Sequence, residues 1–512
     1  MTRAIAVLLV CIAALSVAVA ALAPRRFEPI YEGGGIQVYF KQDFDSGESI
    51  FTAEASGAVQ LVEGAGQAVN GRSLHVARRQ SGGYFGARTE QIGVRNTPGL
   101  KIAFCVRAKG MEHVTVNFFD AKQRDNSTPA SPARVLDDQW RTVVFAVEDF
   151  HFNSDPPQKK IKVETEHTSL MFHGQEKPGA SGQFWIDKLV VYRGRDSQPP
   201  EKPTGLEAAE VAPGRIGLRW QEPADNAFAA VYSIYRRPAD GQPGSRWVKI
   251  AESIEPRCVD AVPRPGRYEY CVTAADYDNN VSAPSAKAVV GATAGGGAPA
   301  APSVQEQDRI AYAENVRRIH SAGSGKVRHD VFLFAGDSIT AAHNYTHILG
   351  QWLARGITVR QGVGTVRTDY GKTMIGKYLA ESRPEFAIVM YGTNDSKSPE
   401  AVAQAMQNLA AVIDACAAAG TVPILATIPP RGYDKQKQEG EVRFNKALVE
   451  LCRQKRVPVS YCFEEMMEHD LRQILGDGVH LTPVTGNDVA GAALWKTMQQ
   501  VYFALRDTSH QW

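Results

Sequence analysis

The chain has 512 residues, a net charge of +2, 22% charged residues and seven cysteines. That length holds about three domains. The near-balanced charge, without long basic runs interleaved with aromatics, argues against a nucleic-acid partner, and the absence of any CxxC spacing argues against zinc and iron–sulfur sites.

Met1-Thr2-Arg3 precedes an apolar stretch from Ala4 to Ala23, which ends in small residues at Ala18, Ala20, Ala21 and Ala23 and runs directly into Pro24-Arg25-Arg26. This predicts a signal peptide over residues 1–23 and a secreted or periplasmic mature chain. An uncleaved anchor is the competing reading, because about 20 apolar residues can just span a bilayer. Cys11 follows Val10 rather than a small residue, which argues against lipid attachment. No other long apolar segment follows, so no stable membrane span is expected after cleavage.

Residues 24–197 lack helical periodicity and instead show alternating runs such as Lys101 to Val106, Val114 to Phe118, Trp140 to Phe145 and Phe184 to Tyr192, punctuated by turn residues. The pattern predicts a β-sandwich. Trp140, Trp185 and Tyr84 are candidates for stacking on sugar rings, although aromatics on sandwich strands more often fill the core. Asp187 is a candidate for a structural calcium or for a turn cap. Pro199-Pro200 and Pro203 then mark a boundary. Residues 198–290 carry further strands at Ile216 to Trp220, Tyr232 to Arg236 and Gly266 to Asp276, with Trp220 and Tyr270 as core residues. Alternation there buries Tyr268, Tyr270 and Val272 and turns Cys271 outward, which argues against a Cys258–Cys271 disulfide. Residues 291–304, rich in Gly, Ala and Pro, read as a flexible tether that leaves the second sandwich as a spacer.

Residues 305–512 alternate buried strands (Val331 to Phe334, Thr358 to Gln361, Phe386 to Met390, Val422 to Ala426, Pro458 to Tyr461) with amphipathic helices (Glu400 to Ala419, Arg443 to Lys455). The alternation predicts a parallel sheet with helices on both faces. Three short blocks in this region carry chemistry. Gly336-Asp337-Ser338 follows the first strand, at the sheet edge where such folds bind ligands, and Ser338 is the candidate nucleophile. A serine hydroxyl needs a base, and the base needs a group to fix its tautomer and balance its charge. His480 and Asp477 can fill these roles from one loop, with Thr482-Pro483 behind them to start a closing helix. An acyl-transfer intermediate also needs fixed donors for its oxyanion. The candidates are the Ser338 and Gly362 backbone N–H groups and the Asn394 side chain, from Gly392-Thr393-Asn394-Asp395 after the third strand. Each block alone is ordinary turn chemistry; their joint occurrence, in this order, points to an esterase.

These blocks resemble the SGNH, or GDSL-like, hydrolases over about Val331 to Leu505. The resemblance implies a three-layer doubly wound α/β domain with Ser338 as nucleophile, His480 as base, Asp477 as its orienting carboxylate, and Gly362 and Asn394 as oxyanion donors. Arg360-Gln361-Gly362 departs from the family's usual Asn-x-Gly, and Gly364 is a competing candidate. Residues 24–197 are similar to jelly-roll, galactose-binding-like modules, and residues 198–290 to a fibronectin type III sandwich. The expected function is removal of short acyl groups, O-acetyl foremost, from a polysaccharide. No catalytic cofactor or metal is expected. A lipase or thioesterase, a glycan O-acyltransferase using the same triad, and a non-catalytic glycan-binding surface protein are the alternatives.

Overall fold

The computed structural model describes residues 27–64, 67–79, 84–120, 126–129, 138–147, 150–152, 166–177, 179–239, 245–294, 304–342, 357–483 and 485–512. The expected signal peptide and most of the expected tether lie outside them. Among the described residues, no helix is long and apolar enough to cross a membrane.

The N-terminal region is a sandwich of two seven-stranded antiparallel sheets. In the first, Gln183–Gly194 pairs with Leu100–Lys109 along one side and with Ile36–Gln42 and Arg72–Arg78 along the other. The second is centred on Met111–Asp120 paired with Glu166–Glu176. Alternation sends Phe104, Val106, Phe184 and Ile186 inward to meet Val116, Phe118, Leu170 and Phe172. The outward residues Ala103, Val190 and Tyr192 are buried too, against Phe228, Ala230 and Tyr277 of the next region. The two central strands, Leu100–Lys109 and Gln183–Gly194, are therefore buried along nearly their whole length on both faces. Asp187 sits at a register shift in Gln183–Gly194. Its carboxylate accepts the Val69 N–H at 2.9 Å and the Lys188 N–H at 2.7 Å, a role in holding the bulge. Trp185 lies on the outer face of this sheet, where it is 6% exposed, stacked on His75 at 4.7 Å and covered by Arg107, so it is not an open sugar platform.

The middle region packs a three-stranded sheet (Thr204–Ala212, Arg215–Gln221, Arg257–Ala261) on a four-stranded one (Val248–Ser253, Ala229–Pro238, Gly266–Asp276, Ala288–Ala292). Trp220 and Tyr270 lie in its core. The last strand runs through Gly291 and Ala292, so the expected tether begins later than its composition suggests. Cys271 does point away from that core, yet it is only 2% exposed because Trp247 and Tyr235 cover it. Cys258 and Cys271 remain separate thiols.

The C-terminal region has strands β1 (Arg328–Gly336), β2 (Ile357–Gly362), β3 (Pro384–Met390), β4 (Val422–Ala426) and β5 (Val459–Ser460), all parallel, in the order β2-β1-β3-β4-β5. Among the described residues its helices are α1 (Val304–Ala322), α2 (Ser338–Ala342), α3 (Thr368–Ser382), α4 (Pro399–Ala419), α5 (Glu439–Lys455), α6 (Cys462–Met467), α7 (Leu471–Ile474) and α8 (Thr485–Leu505). Strand alternation divides the core cleanly. Phe332, Phe334, Phe386 and Ile388 face α1, α6 and α8, whereas Leu333, Ala335, Ala387 and Val389 face α3, α4 and α5. The result is the expected three-layer arrangement. The closing helix begins at Thr485, a little beyond Pro483, and Thr482 Oγ1 still accepts the Gly486 N–H at 2.8 Å.

The middle sandwich is more than a spacer, because it is locked to both neighbours. Toward the N-terminal sandwich, Lys101 pairs with Asp278 at 2.9 Å, Lys188 pairs with Glu222 at 2.8 Å, and the Tyr277 hydroxyl donates to Lys188 O at 2.9 Å. Toward the C-terminal region, Arg506 pairs with Glu252 at 2.7 Å and Lys249 Nζ donates to Phe503 O at 2.8 Å. The Trp512 ring lies 4.6 Å from that of Tyr235. Burial alone would raise the Glu252 carboxyl, but Arg506 and Lys249 together hold it at about 2. A cleft of about 870 Å³ opens where the three regions meet, with Trp140, Tyr277 and Trp495 among its walls.

Candidate active site

The site is built on the carboxyl edge of the parallel sheet, where Gly336 at the end of β1 is level with Gly362 on β2 and Met390 on β3. The chain turns sharply after Gly336 into α2. An added Cβ at Gly336 would collide with Thr340 and the Met390 carbonyl, so only glycine permits this approach. Ser338, half-buried, is the first residue of α2.

Asp337 has an assignment that the motif alone did not provide. It is fully buried; its Oδ1 accepts the Ile339 N–H at 3.0 Å and its Oδ2 the Thr393 N–H at 3.3 Å. One carboxylate thus fixes the turn that presents Ser338 and binds it to the loop carrying Asn394. Burial pushes the Asp337 carboxyl above its usual value, and these N–H groups oppose the shift.

The Asn394 loop is pinned from a second direction. The Asp395 carboxylate accepts from the Thr368 N–H at 3.2 Å and the Thr368 hydroxyl at 3.0 Å, and Asn408 donates to that same hydroxyl at 3.2 Å. Asn394 Nδ2 donates one hydrogen bond to Val366 O at 2.9 Å. An amide nitrogen carries two N–H groups, so this bond fixes the plane and leaves the second to another acceptor. Gly362 closes β2 directly against α2, where a Cβ would strike Ala341 and Thr340. That packing gives Gly362 a reason to be glycine independent of any oxyanion. Gly364 lies two residues further along, exposed and with open space around it.

Asp477 and His480 are brought together directly on the loop between α7 and α8. His480 Nδ1 and Asp477 Oδ2 are 2.8 Å apart, and Asp477 Oδ1 accepts the His480 and Val479 N–H groups at 2.7 and 2.9 Å. The His480 backbone N–H first, then its ring and the Val479 N–H, hold the Asp477 carboxyl well below the usual carboxylate range. A proton on Nδ1 facing the carboxylate leaves Nε2 as the basic nitrogen.

A latch that sequence reasoning missed joins this loop to the rest of the site. Arg431, on the segment after β4, donates to Thr393 O at 3.1 Å, and the next N–H, of Gly432, donates to Gly478 O at 2.6 Å. Buried Gln438 braces the segment by accepting the Arg431 N–H at 2.8 Å and donating to Arg431 O at 2.7 Å. A continuous chain of hydrogen bonds therefore runs from Asp337 through Thr393 and Arg431–Gly432 to Gly478, beside Asp477 and His480. Nothing in the local sequence around Pro429-Pro430-Arg431 announces this role.

Residues 334–485 match the GDSL-like lipase/acylhydrolase family, and the C-terminal part of the chain is a GDSL/SGNH hydrolase domain. Similar solved structures include TesA, at 21% identity and a TM-score of 0.30, covering 33% of this chain and 99% of that one. A lipase/acylhydrolase from Enterococcus faecalis is similar at 20% identity and a TM-score of 0.30, covering 33% of this chain and 95% of that one. A catalytic mutant of an acetylxylan esterase from Geobacillus stearothermophilus follows at 15% identity and a TM-score of 0.30, covering 34% and 96%. No curated protein matches the chain.

Proposed function

We propose that this chain is an exported serine esterase that removes short acyl groups, O-acetyl foremost, from a polysaccharide through Ser338, His480 and Asp477. The observation that carries the reading is the Asp477–His480 contact of 2.8 Å on a loop latched to the Asn394 block. In this reading His480 Nε2 takes the proton of Ser338 as its oxygen attacks the acyl carbonyl. Asp477, ionised throughout, balances the imidazolium. The oxyanion is held by the Ser338 N–H, the Gly362 or Gly364 N–H and the second Asn394 amide proton. The sugar hydroxyl leaves with the proton from His480, and water repeats the sequence on the acyl-serine. The attached sandwiches, and a cleft walled by Trp140 and Trp495 where they meet the hydrolase domain, support a polymeric glycan over a small soluble ester as substrate.

The test is acetate release from acetylated plant, algal and bacterial glycans by the mature protein. Release from at least one glycan, absent with Ser338→Ala, is the expected result. Turnover of fatty acyl esters alone, with every acetylated glycan untouched, would replace the reading with that of a lipid acyl hydrolase.

A further inference from the structure

Ser338 stands at one end of the parallel sheet; at the opposite end, donors from three separate elements converge. His320 lies in the last turn of α1, His329 is the second residue of β1 and Glu385 is the second residue of β3. His320 Nε2 is 2.8 Å and His329 Nδ1 is 3.5 Å from the same Glu385 Oε1. One donor atom from each residue lies within 4.8 Å of the other two. The Glu385 residue is only 2% exposed.

A single histidine–carboxylate hydrogen bond would suffice to accommodate a buried glutamate. Here a second imidazole faces the same oxygen, and its Nδ1 is buried without a hydrogen-bond partner. Such a nitrogen is costly unless its electron pair finds an acceptor. Two imidazole nitrogens and one carboxylate oxygen are the donor set of zinc-type ions, whereas calcium and magnesium favour oxygen alone. We infer that His320, His329 and Glu385 form a binding site for a divalent transition-metal ion, zinc foremost, with solvent completing the coordination. Zinc ligands at about 2.0–2.1 Å in a tetrahedron stand roughly 3.4 Å apart. The present contacts of 2.8 and 3.5 Å bracket that spacing, and the 28% exposure of the His320 side chain provides an entry path.

The ion is structural rather than catalytic. His329 and Ser338 are separated by most of β1, which at about 3.3 Å per residue is more than 20 Å. What the site does is fasten α1, the first element after the Gly/Ala/Pro segment, to two central strands. Cysteine spacing could not reveal it, because none of its ligands is a cysteine and no two share an element.

The test is titration of zinc into the metal-depleted full-length protein, followed by calorimetry and thermal unfolding. One ion should bind per chain, and Tm should rise by about 5 °C when free zinc is about a hundredfold above its dissociation constant. Glu385→Gln and His329→Gln should each weaken binding at least tenfold, and hydrolysis of a small ester should not depend on the ion. Cobalt bound to the unaltered protein should show the visible absorption of a tetrahedral nitrogen–oxygen site, a readout that stands if a variant does not fold. Absence of saturable binding, affinity unchanged in both variants, or a cobalt spectrum without tetrahedral bands would overturn the assignment.

Discussion

The rim around Ser338 and the junction of the hydrolase domain with the middle sandwich use the same residue types to opposite ends. On the rim, Asp477 is exposed and its partner is three residues away; in the proposed reaction the pair orients a base, and it contributes little packing. At the junction, Glu252 is mostly enclosed between buried Lys249 and Arg506, and the Arg506 partner is 254 residues away; the cluster holds two domains together and touches no chemistry. Altering the first should stop the reaction in an intact protein. Altering the second should loosen an enzyme that still works.

The largest effects are expected on the rim. Ser338→Ala and His480→Ala should each lower kcat by on the order of 10⁴ or more without moving Tm. Asp477→Asn should also lower kcat heavily while leaving more residual activity, since this residue orients the base rather than reacting. In acid, activity should fall along a single limb as imidazole is protonated. Asp477, held well below the usual carboxylate range, stays ionised across that limb and adds no second step. A second inflection above pH 4 would contradict this arrangement. Asn394→Ala should reduce kcat by roughly 10² to 10³ and leave KM nearly unchanged; a pure KM effect would make Asn394 a substrate-binding residue instead.

The junction should respond in the other measurement. Arg506→Ala leaves the mostly enclosed Glu252 with Lys249 alone, and removing one member of such a sheltered pair costs up to about 3–5 kcal/mol, read as a lower Tm with kcat on a small ester retained. The pH dependence has a definite sign. Because Glu252 is held at about 2 in the folded chain, below the ordinary glutamate range, its contribution is present above that range and lost as pH falls through about 2. A truncation starting at Gln305 should likewise be less stable than the full chain, because it strips Tyr235, Lys249 and Glu252 from Trp512, Phe503 and Arg506. Equal Tm values would show that the junction adds nothing to the hydrolase domain.

The same contrast explains what the sequence made legible. Apolar runs with turn residues behind them marked β1, β3, β4 and β5, which are buried on both faces, whereas β2 lies at the sheet edge with Arg360 exposed. The Asp477–His480 contact was readable because the two residues are three positions apart on one loop. Features that depend on distant partners were not. Arg431 reaches Thr393 across 38 residues, and His320 reaches Glu385 across 65. Cys271 obeyed strand alternation but met Trp247 instead of solvent, and Trp185 followed the same logic into the face of its own sheet. The middle sandwich looked like a spacer because the ion pairs that lock it on both sides join regions that composition treats as separate.

The central claim is that Ser338 is the nucleophile, and trapping the acyl-enzyme position tests it most directly. The protein would be treated with a fluorophosphonate, which modifies activated serines, and the adduct located by peptide mass spectrometry. The account predicts one modified residue, Ser338, with labelling lost when His480→Ala removes the base. Labelling at another serine, or ester hydrolysis that survives Ser338→Ala, would contradict it.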